Sequence, residues 1–160
     1  MKPKKYAKMA TLPGFIGTPK RKKKEKSLED TLKKKLDTAF SQFIRLRDSD
    51  DQGVGCCVTC GKPKVWKYAD CGHFIKRQHM ATRYDEQNCN LQCKGCNAFE
   101  QGANERYRVA IDKKWGQGTS DRLEARKKNR TRFPAFWYKM EIERYEKLVK
   151  ERLSNMPNCV

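Results

Sequence analysis

The chain has 160 residues, the length of one domain with tails. Hydrophobic residues make up 37%, below the roughly 45–50% of ordinary globular proteins, so the core is modest and needs another source of stability. Lys and Arg number 37 against 19 Asp and Glu, a net +18 that favours nucleic acid as partner; no apolar run nears the ~20 residues of a membrane span, and no signal-like segment follows the Lys-rich start, so an intracellular, cytoplasmic protein without membrane association is expected.

Residues 1–26 hold ten Lys or Arg, Lys22, Lys23 and Lys24 among them, against Glu25, and so carry half of the excess charge. Pro3, Pro13, Gly14, Gly17 and Pro19 interrupt the segment, which reads as a disordered basic arm that meets phosphates, or else as a solvated tail. The single domain is expected over 27–153, with a tail at 154–160. Ser27-Leu28-Glu29-Asp30 has the form of a capping box. Leu28, Leu32, Leu36, Phe40, Phe43 and Ile44 then recur at helical spacing, which predicts a helix over 28–47 whose stripe packs on the centre that follows. It stops at the polar run Asp48 to Gly53.

Residues 54–103 form the expected core. Cys57-Val58-Thr59-Cys60-Gly61 is a knuckle turn, Val65 to Ala69 alternates as a strand, and His73 stands where a second strand begins. Cys93-Lys94-Gly95-Cys96 supplies a second CxxC pair. Each pair gives two sulfurs from one tight turn, so Cys57, Cys60, Cys93 and Cys96 fit a four-thiolate structural zinc site; Cys56 in place of Cys57 would give a less regular spacing. In an intracellular chain such pairs read as metal ligands before disulfides. Cys71 and Cys89 read as small buried hydrophobes, and Cys159 as inert.

Thirty-two residues separate the pairs, more than a simple zinc ribbon uses, and they contain both histidines, His73 and His79. Arg77 and Arg83 are candidates for bidentate phosphate contacts or plain surface cations. His79 has no assigned role beyond structure or a DNA hydrogen bond. Beyond the second pair, short basic helices are predicted over 104–114 and 119–128. A last helix follows Pro134, and its face of Tyr138, Ile142, Tyr145 and Val149 either covers the core or pairs two subunits.

Asp70-x-Gly72-His73, with Asn88 ahead of the second CxxC pair and Asn97 directly after it, resembles the His-Asn-His/Asn pattern of HNH, or ββα-metal, nucleases. More closely, residues from about 39 to 102 resemble the NinG/Rap family of phage recombination endonucleases, in AFSQFIRLRDSD (39–50), CVTCG (57–61), DCGHFIKRQHMATRYDEQN (70–88) and QCKGCN (92–97) followed by Gly102. More weakly the likeness extends to about residue 153. It implies an α+β fold with a small zinc-stapled HNH core of β-hairpin plus helix, flanked by α-helices. It further implies His73 as general base, Asn88 orienting the loop or the histidine, and Asn97 as ligand of a catalytic Mg²⁺ or Mn²⁺. Gly72 stands where many relatives carry a metal-binding carboxylate, and the ligand role is transferred to Asp70, which otherwise supports the turn. The implied activity is metal-dependent endonuclease cleavage of DNA at branched recombination intermediates such as Holliday junctions and D-loops. The rival reading is a non-catalytic zinc module that binds nucleic acid.

If about five cations of the arm contact phosphates together, deleting residues 1–26 flattens the slope of log affinity against log salt by ~4–5. A salt titration of DNA binding by both lengths of chain checks this, and cleavage at saturating protein is expected to survive the deletion.

Overall fold

The computed structural model of the chain describes residues 27–99 and 104–156. The basic arm with Lys22, Lys23 and Lys24, Gly102 and residues 157–160 lie outside the described residues. The fold is α+β: five helices and two small antiparallel sheets among the described residues. No described helix is long and apolar enough to cross a membrane.

Helix α1 (Leu28–Arg47) starts where Ser27, in extended conformation, accepts the Asp30 N–H on its hydroxyl at 3.1 Å; Glu29 and Asp30 face the positive end of the helix dipole, Arg45 and Arg47 the negative end. Its stripe of Leu32, Leu36, Ala39, Phe40 and Ile44 is buried. It was expected against the cysteine centre, yet it packs on α5 (Ala135–Ser154), which Pro134 precedes, and on a β-hairpin. Tyr138 and Tyr145 of α5 are buried here, and Phe40 meets Tyr145 edge to face with centroids 5.0 Å apart. The apolar face of α5 is therefore covered from within the chain.

Strand β1 (Val54–Cys56) pairs with β2 (Pro63–Val65), and β3 (Asp70–His73) pairs with β4 (Cys89–Gln92) in the register Asp70↔Gln92 to His73↔Cys89. The strand expected over 65–69 ends at Val65. Residues Trp66–Tyr68 instead make a 3₁₀ turn, because Trp66 is buried against Leu46, Val149 and Met156, and the Arg45 guanidinium donates to the carbonyls of Trp66 and Ala69 at 3.1 and 3.4 Å. His73 accordingly closes the strand after this turn instead of opening another. The one-turn helix α2 (Met80–Arg83) interrupts the loop from β3 to β4. A π-helical turn that begins inside the second CxxC pair covers Gly95–Phe99. Helices α3 (Asn104–Trp115) and α4 (Thr119–Arg126) then pack Tyr107, Ile111 and Leu123 against Phe74 and Ile75. Gly116 and Gly118, at φ 102° and 81°, take the left-handed turn between them.

Asp48, at the end of α1, ties helix to hairpin. Its buried carboxylate accepts from Arg47 at 2.9 and 3.1 Å, from Lys114 at 2.7 Å and from the Leu91 N–H at 2.8 Å. Burial works to raise its pKa, but the bonds and charges of Arg47 and Lys114 outweigh it and hold the carboxyl below the usual aspartate value. Asp48→Ala leaves the partly buried Arg47 guanidinium and the Leu91 N–H without their shared acceptor, while exposed Lys114 can turn to water, and is expected to cost about 1–3 kcal/mol in urea unfolding. Asp51→Ala, which removes only the exposed partner of Arg152, is expected to cost under ~1 kcal/mol. The depressed pKa means that the Asp48 contribution is present above the ordinary value of 3.8 and is lost as pH falls through the lower folded value.

Candidate metal centre and active-site cleft

The two CxxC turns meet. The sulfurs of Cys57, Cys60, Cys93 and Cys96 all lie within 4.8 Å of one another, and Cys60 Sγ stands 3.9 Å from Cys93 Sγ. Zinc–sulfur bonds of ~2.3 Å in a tetrahedron require edges of about 3.8 Å, so the donor set fits that ion. The backbone N–H of Cys93 points at Cys57 Sγ at 3.3 Å and that of Cys96 at Cys93 Sγ at 3.5 Å, the polarity that thiolates need. Burial opposes ionisation of Cys57, yet hydrogen bonds from the Cys93, Cys60 and Thr59 backbone lower its pKa to about 7. The cluster could hold a metal such as zinc.

The hairpin β3–β4 carries the remaining candidates. Asn97 directly follows Cys96, and its side-chain amide donates to Asp70 Oδ2 at 3.0 Å, so the cysteine-anchored turn delivers Asn97 to the start of β3. Gly72 admits no side chain. A Cβ there would lie 2.1 Å from Gln92 Oε1, and Gln92 is itself fixed by donation to Thr59 Oγ1 at 2.7 Å inside the first knuckle. A carboxylate immediately before His73 is thus excluded sterically, which accounts for the departure at Gly72.

His73 Nε2 lies 3.2 Å from the Arg83 carbonyl and Nδ1 3.3 Å from the Cys71 carbonyl. Burial lowers its pKa below 6.5; the two carbonyls oppose this, and the charges of Arg83 and Arg77 add to it. Asn88 is wholly buried and clamps the loop. Its Oδ1 accepts from Ile75 N at 2.7 Å, and its Nδ2 donates to Ile75 O at 3.0 Å and Thr82 O at 2.9 Å. Thr82 adjoins Arg83, so the clamp also fixes the carbonyl that faces His73.

Between α1 and the hairpin runs a cleft of about 1330 Å³ whose wall includes His73, Asn97, Lys33, Lys34, Lys76 and Arg77. Asp70 is not in that wall; it reaches the cleft through Asn97. Arg77 is exposed there. Arg83, expected among the substrate contacts, is buried with its guanidinium committed to Asp37 at 2.8 and 2.6 Å and to the Arg77 carbonyl. Its charge is spent on holding the loop to α1, so it supports the cleft instead of facing a phosphate. His79 sits at the start of α2 beside Gln78. Lys33, Lys34 and Asp37 were missed by sequence reasoning because the polar face of α1 looks solvated until the hairpin is laid across it.

The fold and these sites define a small α+β protein in which a cysteine cluster staples a histidine-bearing hairpin against a basic cleft. The model of the family described as "NinG: Bacteriophage Lambda NinG protein" matches residues 17–155, and the chain belongs to the NinG family. The protein ninG of Escherichia phage 933W is 32% identical over 93 residues, 58% of this chain and 44% of that relative. Those of Salmonella phage P22 and Escherichia phage lambda are each 31% identical over the same length, 58% of this chain and 43% of the relative. The matched stretch thus covers less than half of each curated relative. No solved structure matches the chain.

Structural zinc contributes roughly 10–16 kcal/mol in small peptides, comparable with or above the ~5–15 kcal/mol net stability of an ordinary domain. Cys60→Ser and Cys93→Ser are therefore expected to leave the purified chain unfolded, with elemental analysis finding about one tightly held zinc lost. A well-folded chain after complete chelation would refute the role of the cluster.

Proposed function

We propose that the chain is a metal-dependent endonuclease of the HNH type that hydrolyses DNA phosphodiester bonds, acting in phage recombination on branched intermediates. The observation that carries this reading is the convergence of His73 and Asn97 on the wall of one basic cleft, with Asn88 locking the loop between them. Such an arrangement has a base, a cation ligand and phosphate contacts in one place.

Neutral imidazole carries one N–H. With Nε2–H donated to the Arg83 carbonyl, the nearer of the two acceptors, Nδ1 keeps its lone pair, and a water entering the cleft can pass it a proton. The lowered pKa keeps the ring neutral across the physiological range. Asn97 donates its Nδ2 to Asp70, which turns its Oδ1 outward as an oxygen ligand, while the Asp70 carboxylate supplies the negative charge next to it. A bound Mg²⁺ or Mn²⁺ would neutralise charge growing on the phosphate and the leaving oxygen. Lys33, Lys34, Lys76 and Arg77 hold the flanking phosphates, and Lys22, Lys23 and Lys24 of the arm extend that contact along the DNA. Preference for branched DNA follows from the family resemblance, not from the cleft.

His73→Ala is expected to lower Mg²⁺-dependent cleavage by roughly 10²–10⁴-fold with DNA affinity almost unchanged. In the parent chain the rate climbs with pH through the lowered imidazole pKa, so the rising limb lies below 6.5 and the profile is flat at neutrality. Salt-sensitive binding without cleavage of linear, flapped or four-way DNA in any divalent cation would favour the non-catalytic zinc module.

A further inference from the structure

The structure holds a second cluster of metal-ligating side chains. One ligand atom each from Cys71, His73 and Cys89 lie within 4.8 Å of one another. Strand alternation puts Cys71 and His73 on one face of β3, and the register sets Cys89 directly across from His73. His73 Nε2 and Cys89 Sγ both approach the same carbonyl, that of Arg83, at 3.2 and 3.6 Å. Cys89 is wholly buried against Phe40 and Leu36, whereas Cys71 and His73 open on the cleft. An ion thus has an entry path from the cleft and an apolar wall behind it.

We propose that Cys71, His73 and Cys89 form a thiophilic metal site, taking Zn²⁺ or a similar soft cation with a cleft water as fourth ligand, and that its occupancy removes His73 from service as a base. Two thiolates and an imidazole with one open position are a zinc donor set. The observed separations are within about an ångström of the edges of such a tetrahedron, a change that side-chain rotation supplies. Hard cations such as Mg²⁺ avoid sulfur, so the ion that supports catalysis does not compete here. Each cysteine releases its proton to solvent on binding; an ion on Nε2, the nitrogen that shares the Arg83 carbonyl with Cys89 Sγ, forces the ring's one proton onto Nδ1, which then donates to the Cys71 carbonyl and has no lone pair left for a proton from water. The site is distinct from the four-cysteine cluster, sharing no ligand with it, and its inhibitory consequence rests on the nuclease reading given above.

The test uses the full chain with its four-cysteine cluster loaded, titrated with zinc against a chromophoric chelator. The parent chain is expected to take a second equivalent. Cys71→Ala, Cys71→Ser and His73→Ala are each expected to lose that equivalent and keep the first, and Cys56→Ala to keep both. Cys71 is half-exposed, so its variants serve where a change at buried Cys89 would disturb folding. In Mg²⁺-supported cleavage the second equivalent silences the parent chain reversibly, and Cys71→Ala cleaves at the parent rate and ignores it. A single equivalent in the parent chain, or an undiminished second one in Cys71→Ala or His73→Ala, overturns the site. Cleavage that persists with the second equivalent bound overturns the inhibitory role. A second equivalent bound as expected in a chain that cleaves no DNA in any metal upholds the site and removes the nuclease reading instead.

Discussion

Closure of the 32-residue excursion between Cys60 and Cys93 is the constraint on which the rest of the structure depends. Bringing the ends of a loop that long together costs about 3–4 kcal/mol of chain entropy. The hairpin inside it has two short strands, and a two-stranded hairpin is marginal by itself in water. Four sulfurs around one ion would offset that cost several times over. They also do so at the right place: Asn97 follows the fourth cysteine, and Thr59 within the first knuckle holds Gln92 of β4.

The other side of the hairpin is held by charge. Asp48, Arg47 and Lys114 meet Asn90, whose Oδ1 accepts from Lys114 at 2.8 Å and Arg47 at 3.2 Å, while buried Tyr107 donates to the Gly72 carbonyl at 2.8 Å. Such a network need not stabilise more than apolar packing would. What it supplies is register. Slipping β4 by one residue would carry Leu91 N away from Asp48 and turn the face opposite Cys71 and His73 over. Cation–π contacts of Arg47 and Lys114 with Trp115 add to the same clamp from α3.

Those parts of the fold that rest on local signals were legible in the chain. Ser27 with Asp30 marks the start of α1, the Leu and Phe spacing marks its length, and the CxxC pairs mark the cluster. Misread features were those decided by a distant partner. Trp66 bends out of its strand because Leu46 and Val149 bury it, and Arg83 leaves the surface because Asp37, 46 residues away, pairs with it. A sequence shows that Asp37 and Arg83 are charged but not that they face each other. The cleft was invisible for the same reason: one wall is α1, whose Lys33 and Asp37 resemble any solvated i,i+4 pair.

Gly72 shows how a missing side chain can be part of a site. The residue before His73 points to the face where Gln92 crosses toward the first knuckle, and the 2.1 Å approach leaves room for hydrogen alone. Asp70, two positions earlier, shares the face of Gly72 by strand alternation. From there it accepts a hydrogen bond from the Asn97 side-chain amide, and in the proposed site charge and ligand oxygen would come from two residues instead of one. The knuckle that fixes Gln92 thereby dictates the glycine. In the proposed nuclease the neutral amide of Asn97 stands in the cleft wall with that carboxylate behind it, and burial together with the charges of Arg83 and Arg77 is left to lower the His73 pKa and keep the ring in the neutral form that a base needs.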